Sequence, residues 1–230
     1  MAYLFPNQKK YSYLYGEKLK IENQIYNFIA KTQNFKKKYN FKIYQDKKIS
    51  LKEMGSNLVS IDLICFLIKI FKPVSILEIG SFIGRSSIAF SYSAPKKSKL
   101  YAIEKFSRIF KILKKNIDAN KLQKKILPFE GDAKIILKSE YFLKKKFDFV
   151  FIDGNKENYY EYLKILEKKT SKNCIIIIDD IFFHGDIFNK KKKTLKGAGV
   201  HKVYSYIKNN KAFEPLIIPI SNGIMILKKK

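Results

Sequence analysis

Val74-Ser-Ile-Leu-Glu-Ile-Gly-Ser-Phe-Ile-Gly-Arg-Ser-Ser87 begins as an apolar run, passes an acid and two glycines, and continues into Ile88-Ala89. Residues 74 to 77 have strand character, Gly80 and Gly84 permit a tight turn with close backbone approach, and Ser86 to Ala89 can open a helix. The first N–H groups of such a helix have no partner within the helix and carry partial positive charge. The turn therefore favours an anionic ligand and is of the kind that cradles a nucleotide cofactor.

Spacing narrows the class. The dinucleotide pattern G-x-G-x-x-G fails, because Ser81-Phe82-Ile83 separates the glycines. Lys99-Leu-Tyr-Ala-Ile-Glu104 reads as the next strand and ends in an acid at about the offset, roughly 20 residues, used to hold ribose hydroxyls. Glu78-x-Gly80-x-x-x-Gly84 resembles motif I of class I S-adenosylmethionine (SAM) methyltransferases, especially O-methyltransferases related to caffeoyl-CoA and catechol enzymes. That resemblance implies cofactor contacts at Glu78, Gly80, Phe82, Gly84, Ser86 and Glu104. For Glu78, a role in orienting the loop without touching ligand competes.

The rest of the chain alternates between helix and strand patterns. Ile21, Ile25, Phe28 and Ile29 form one stripe of a helix over Glu17 to Thr32, and a second helix over about Ser56 to Phe71, apolar nearly all round, is expected to be buried. Phe35 to Lys48, basic and aromatic, reads as a solvated connector with anchoring rings, an RNA-facing surface being the alternative. Ser107 is placed as the cap of a helix carrying Ile109, Leu113 and Ile117; strands follow at Lys125 to Glu130, Phe147 to Asp153 and Cys174 to Asp179. Tyr159, Leu163 and Leu166 share one helical face, and Val200, Val203 and Ile207 another. Phe213 to Ile220 and Gly223 to Leu227 close the chain.

Alternation predicts an α/β, Rossmann-like, doubly wound, mostly parallel sheet. The resemblance adds seven strands with the last inserted antiparallel, preceded by extra N-terminal helices. One unit is expected, with residues 1–50 as an arm and helix and 51–230 as the methyltransferase domain.

At 230 residues and 46% hydrophobic content the chain can bury a full core. Cys65 and Cys174 fall in apolar segments, which favours buried free thiols, a reducing cytoplasm and neither disulfide nor zinc. No secretory signal pattern stands at the amino end, and the longest apolar run, Leu63 to Ile68, is far below the roughly 20 residues of a membrane span. The net charge of +27 suits polyanions such as RNA. Arginine, the better phosphate and base reader, occurs only at 85 and 108; lysine-rich codon bias is the competing account.

Glu78, Glu104, Asp132, Asp153, Asp179 and Asp180 all fall at or near predicted strand carboxyl ends, where open α/β sheets collect ligands. Only 20 acids occur in the chain, so this concentration reads as a site. Phe147-Asp-Phe-Val-Phe-Ile-Asp-Gly-Asn-Lys156 and Ile178-Asp-Asp180 resemble segments of metal-dependent O-methyltransferases. The resemblance implies Asp153, Asp179 and Asp180 as metal ligands and Lys156 as general base, the latter provided that the cation and partial burial depress its pKa. Oxygen-only ligation suits Mg²⁺, Mn²⁺ or Ca²⁺. Gly131-Asp132-Ala133 resembles the adenine loop.

The resulting expectation is a SAM-dependent O-methyltransferase acting on a hydroxylated aromatic or heteroaromatic small molecule, aided by a divalent metal. Alternatives are a tRNA enzyme methylating 5-hydroxyuridine, with Lys190 to Lys193 holding phosphates, and a noncatalytic RNA-binding protein on the same fold. No membrane partner is expected, and a homodimer through the N-terminal helices is a further expectation.

Overall fold

The computed structural model describes residues 19–46 and 55–230, so the expected arm over residues 1–16 lies outside the described residues. Seven strands form one sheet in the order β3-β2-β1-β4-β5-β7-β6. These are β1 (Ser75–Ile79), β2 (Lys99–Glu104), β3 (Ile126–Glu130), β4 (Phe147–Ile152), β5 (Thr170–Ile178), β6 (Phe213–Ile218) and β7 (Ile224–Lys229). β1 to β5 run parallel, and β7 enters antiparallel between β5 and β6. The continuous apolar runs Phe149–Ile152 and Cys174–Ile178 are what a central parallel strand covered on both faces requires, and all these residues are buried. Pro215 is accommodated because β6 is an edge.

Nine helices flank the sheet among the described residues: α1 (Leu19–Thr32), α2 (Phe35–Lys38), α3 (Leu58–Phe71), α4 (Arg85–Ser93), α5 (Ser107–Ala119), α6 (Ala133–Ile136), α7 (Glu140–Leu143), α8 (Tyr159–Lys169) and α9 (Leu195–Asn209). Two apolar clusters result, one per face. Ile76, Leu100, Phe149 and Ile177 pack with α3, α4 and α5; Leu77, Ile103, Val150 and Ile176 pack with α8 and α9 through Leu163, Leu166, Val200 and Val203. The alternation of neighbouring strand residues between the clusters follows from the two-residue period of a strand.

Two expectations need correction. α3 is not buried all round: Ile61, Ile64, Cys65 and Ile68 face the sheet, whereas Phe66 and Ile70 are 60% and 56% exposed. A helix on one side of a sheet turns only one stripe inward. Ser107 is the first residue of α5 rather than its cap, and its hydroxyl donates to Glu130. Residues 35 to 45 follow the expectation, with Lys36, Lys37, Lys38 and Lys42 exposed while the rings of Phe35, Tyr39 and Phe41 anchor the segment to the core. Phe35 is buried, the Tyr39 hydroxyl donates to Asp62 across 2.5 Å, and the buried Asn116 side chain pairs with both the N–H and the carbonyl of Tyr44. No helix among the described residues is long and apolar enough to cross a membrane. Cys65 and Cys174 are free and buried, as their apolar settings predict.

Candidate functional site

The parallel strands end at one edge, and a cleft of about 710 Å³ opens there. Gly80, Ser81, Phe82, Arg85 and Ser86 line it from the turn after β1, Glu104 from β2, Gly131 and Ala133 from the turn after β3, Asp153 to Lys156 after β4, and Asp179 and Asp180 after β5. Gly80 has φ +90°, and a Cβ there would stand 2.3 Å from the carbonyl oxygen of Asp153. Only glycine lets the β1 and β4 ends approach this closely.

At one end, Glu104 is buried and acts as a brace for two loops. One carboxylate oxygen accepts from the Phe82 N–H and the other from the Phe106 N–H, each at 2.9 Å. Burial pushes its pKa up, and these N–H donors pull the other way. Each carboxylate oxygen retains further acceptor capacity towards the cleft.

At the other end, the Lys156 ammonium bridges Asp153 Oδ1 at 3.0 Å and Asp180 Oδ2 at 2.8 Å. Ser56 donates to the second oxygen of Asp153 at 3.0 Å, tying the turn before α3 to the strand ends. Gly199 of α9 sets the position of Lys156 from behind, since a Cβ there would stand 2.4 Å from the Lys156 carbonyl oxygen. Asp179 turns an oxygen back to the N–H of Asp180 at 2.9 Å.

The protonation states follow from burial set against charge. Burial disfavours the Lys156 ammonium, but Asp153, Tyr159 and Asp180 outweigh it and hold its pKa well above that of an ordinary lysine. The depressed pKa expected of a general base is tied to a bound cation together with partial burial, and burial alone does not produce it here. Burial together with the Asp180 and Asp153 charges drives Asp179 well above the usual carboxylate range. Asp180 is held low despite burial because Lys156 pairs with it, and Asp153 moves up because burial and Asp180 together exceed its share of the ammonium.

The acids of this end could suit a hard cation by chemistry, and the Lys156 ammonium stands where Asp153 and Asp180 converge, a point that attracts positive charge. No group of three or more His, Cys, Asp or Glu side chains closes into a metal cage among the described residues.

Three residues expected at the cofactor do not line the cleft. Glu78 lies within β1, fully buried beneath α4, and accepts from the Ser87 hydroxyl. Gly84 is the N-cap of α4, and its missing Cβ makes room for Leu113. Asp132 caps α6 through the Lys134 N–H and pairs with Lys105 at 3.2 Å; burial opposes its charge, but these partners hold its pKa below the usual range.

Other groups escaped the sequence reading. Arg85 and Ser56 face the cleft, and Asn222 reaches His184, accepting its N–H at 3.1 Å and meeting Nδ1 at 3.2 Å. Asp186 gathers the lysine loop, accepting from Asn189, Lys193 and Thr194. Only Arg85 carried a signal, as one of two arginines in a lysine-rich chain.

Comparison with known proteins gives this geometry its family. The chain is 26% identical over 137 residues to the caffeoyl-CoA O-methyltransferase of Stellaria longipes, covering 58% of this chain and 57% of that enzyme, so it spans a little over half of that relative. It is 24% identical over 178 residues to the catechol O-methyltransferase of Niastella koreensis, covering 74% and 79%. The O-methyltransferase of Bacillus cereus in complex with SAH shares the fold at a TM-score of 0.78 and 19% identity, covering 90% of this chain and 97% of that one. With the O-methyltransferase family model matching residues 30–230, the chain belongs to the O-methyltransferase family.

Proposed function

We propose that this chain transfers the methyl group of SAM to a hydroxyl of an aromatic or heteroaromatic small molecule, with a divalent cation assisting. The observation that carries this is the shared cleft: a ribose-type acid, Glu104, stands at one end and the Asp153–Lys156–Asp180 cluster at the other. The names of the caffeoyl-CoA and catechol relatives support a hydroxylated aromatic acceptor.

In this reading Glu104 accepts from the ribose hydroxyls, Gly131 and Ala133 flank the adenine, and the turn from Gly80 through Phe82 to Ser86 holds the methionine portion. Glu78 and Gly84 support that turn from beneath, and Asp132 shapes the adenine loop as its cap. Transfer needs the acceptor oxygen in line with the sulfonium methyl and close to its anionic form. Asp153, Asp179 and Asp180 would hold Mg²⁺ or Mn²⁺, which when bound lowers the pKa of a hydroxyl. Lys156, paired as it is, contributes positive charge beside the developing oxyanion. To act as a base it must first lose its own proton, which displacement from its two carboxylates by a bound cation would favour.

The test is turnover of methyl-labelled SAM by the purified chain with a panel of catechols and related phenols, with and without EDTA. Labelled product that disappears in EDTA and returns with Mg²⁺ is expected. Full turnover in EDTA would remove the cation, and SAM binding without transfer to any phenol would remove the acceptor class. A tRNA acceptor is a second reading, favoured by Lys196 at the cleft and exposed Lys190, Lys191 and Lys193 on the loop before it. Transfer to undermethylated tRNA but not to phenols would select it.

A further inference from the structure

Arg85 is one of two arginines among the 47 basic residues, and it lines the cleft. Its Nη2 donates to the carbonyl of Ser56, whose hydroxyl in turn holds Asp153, so the guanidinium sits at the reacting end of the cleft rather than at the Glu104 end. Its Nε is buried without a hydrogen-bond partner, and among the described residues no carboxylate lies within ion-pair distance. The acids nearest in the cleft are engaged elsewhere: Asp153 and Asp180 with Lys156, and Glu104 with two backbone N–H groups.

A half-buried guanidinium whose Nε is buried and unused is costly unless a counter-charge arrives. Its planar fork matches a carboxylate or phosphate in two parallel hydrogen bonds, which a lysine cannot offer. Lysine supplies every other cation of the cleft, at positions 105, 156 and 196.

We infer that Arg85 is an anion-binding residue of the cleft, receiving a carboxylate or phosphate carried by the molecule that fills the reacting end. This rests on the methyltransferase reading. Two molecules present such a group there, the methionine tail of the cofactor and an acidic acceptor.

Calorimetry with wild type, Arg85→Gln and Arg85→Lys decides between them, using two matched pairs of probes. The cofactor pair is SAH and 5′-methylthioadenosine, which lacks the amino-acid tail and with it the carboxylate. The acceptor pair, measured on the SAH complex, is 3,4-dihydroxybenzoate and catechol. Arg85→Gln should weaken the charged member of one pair at least tenfold while leaving its neutral partner within twofold; the pair affected identifies the source of the anion. Arg85→Lys, which keeps the charge, should lose less. Equal weakening of charged and neutral members means a structural role and overturns the inference, as does unchanged affinity for both charged probes. Wild type that fails to bind SAH would overturn the methyltransferase reading itself, an outcome distinguishable from SAH binding that is indifferent to Arg85.

Discussion

Glu78→Gln should remove a pH dependence of stability that wild type carries. The Glu78 carboxyl is fully buried on the face of β1 that meets α4; one oxygen accepts from Ser87 and the other has no partner. Burial pushes its pKa from 4.5 to about 7, with hydroxyls of Ser86, Ser87 and Ser81 only partly opposing the shift. A pKa higher in the folded than in the unfolded chain means that the folded state binds the proton more tightly. The contribution is fully present below pH 4.5, declines between 4.5 and 7 and is gone above 7. At about 1.4 kcal/mol per pKa unit, the loss totals about 3 kcal/mol. Glutamine has nearly the same shape and does not titrate. Urea unfolding of both proteins from pH 4.5 to 8 gives a difference in which all other titrating groups cancel. The variant should gain about 3 kcal/mol on wild type across that range. Parallel stability curves would refute the reasoning, since they would mean that the carboxyl ionises in the folded state as easily as in the unfolded one.

Glu104→Ala should weaken SAH binding roughly tenfold to hundredfold, by loss of two charge-assisted hydrogen bonds, and an unchanged calorimetric Kd would displace the ribose from this position. Because burial raises the Glu104 pKa, wild-type SAH affinity should fall as pH is lowered from neutral, and the variant should lose that slope. Gly80→Ala should destabilise the chain by about 3 kcal/mol or more, as expected of strain and overpacking together, because its Cβ would meet the Asp153 carbonyl; a thermal melt within a degree of wild type would contradict the close approach. Asp186→Ala should free the lysine loop, read as lost amide-exchange protection at Lys193 and Thr194 with α8 unaffected. Despite the cost of burial, those donors hold the Asp186 pKa at about 2, so wild-type protection should survive acidification well below pH 3.8 and fail near pH 2.

Much of the fold was legible because its determinants are local. The runs at Phe149–Ile152 and Cys174–Ile178 read as buried strands because they are short and rich in β-branched and aromatic residues, and Tyr159, Leu163 and Leu166 mark one helical face at a 3.6-residue period. Gly80 was legible too, although the reason for it, the carbonyl of Asp153, lies on another strand. What periodicity could not supply was which half of an apolar helix finds a partner. The exposed Phe66 and Ile70 of α3 look the same in sequence as the buried Ile64 and Ile68.

The candidate site divides along the same line. Placement at a strand's carboxyl end follows from where an apolar run stops, so Glu104, Asp153, Asp179 and Asp180 could be assigned to one rim in advance. Glu78 shows the limit of that rule: β1 continues one residue past it, and in a strand one residue decides whether a side chain reaches the rim or is buried beneath a helix. Charge state is harder still, because it sums over neighbours that arrive from different elements. Lys156 is three residues from Asp153 in sequence, and that pairing could be foreseen; Asp180 comes from the end of β5 and meets the same ammonium at 2.8 Å. Asp153, Tyr159 and Asp180 together outweigh burial, so the proton on Lys156 depends on the end of β5 as well as on the segment that carries the lysine.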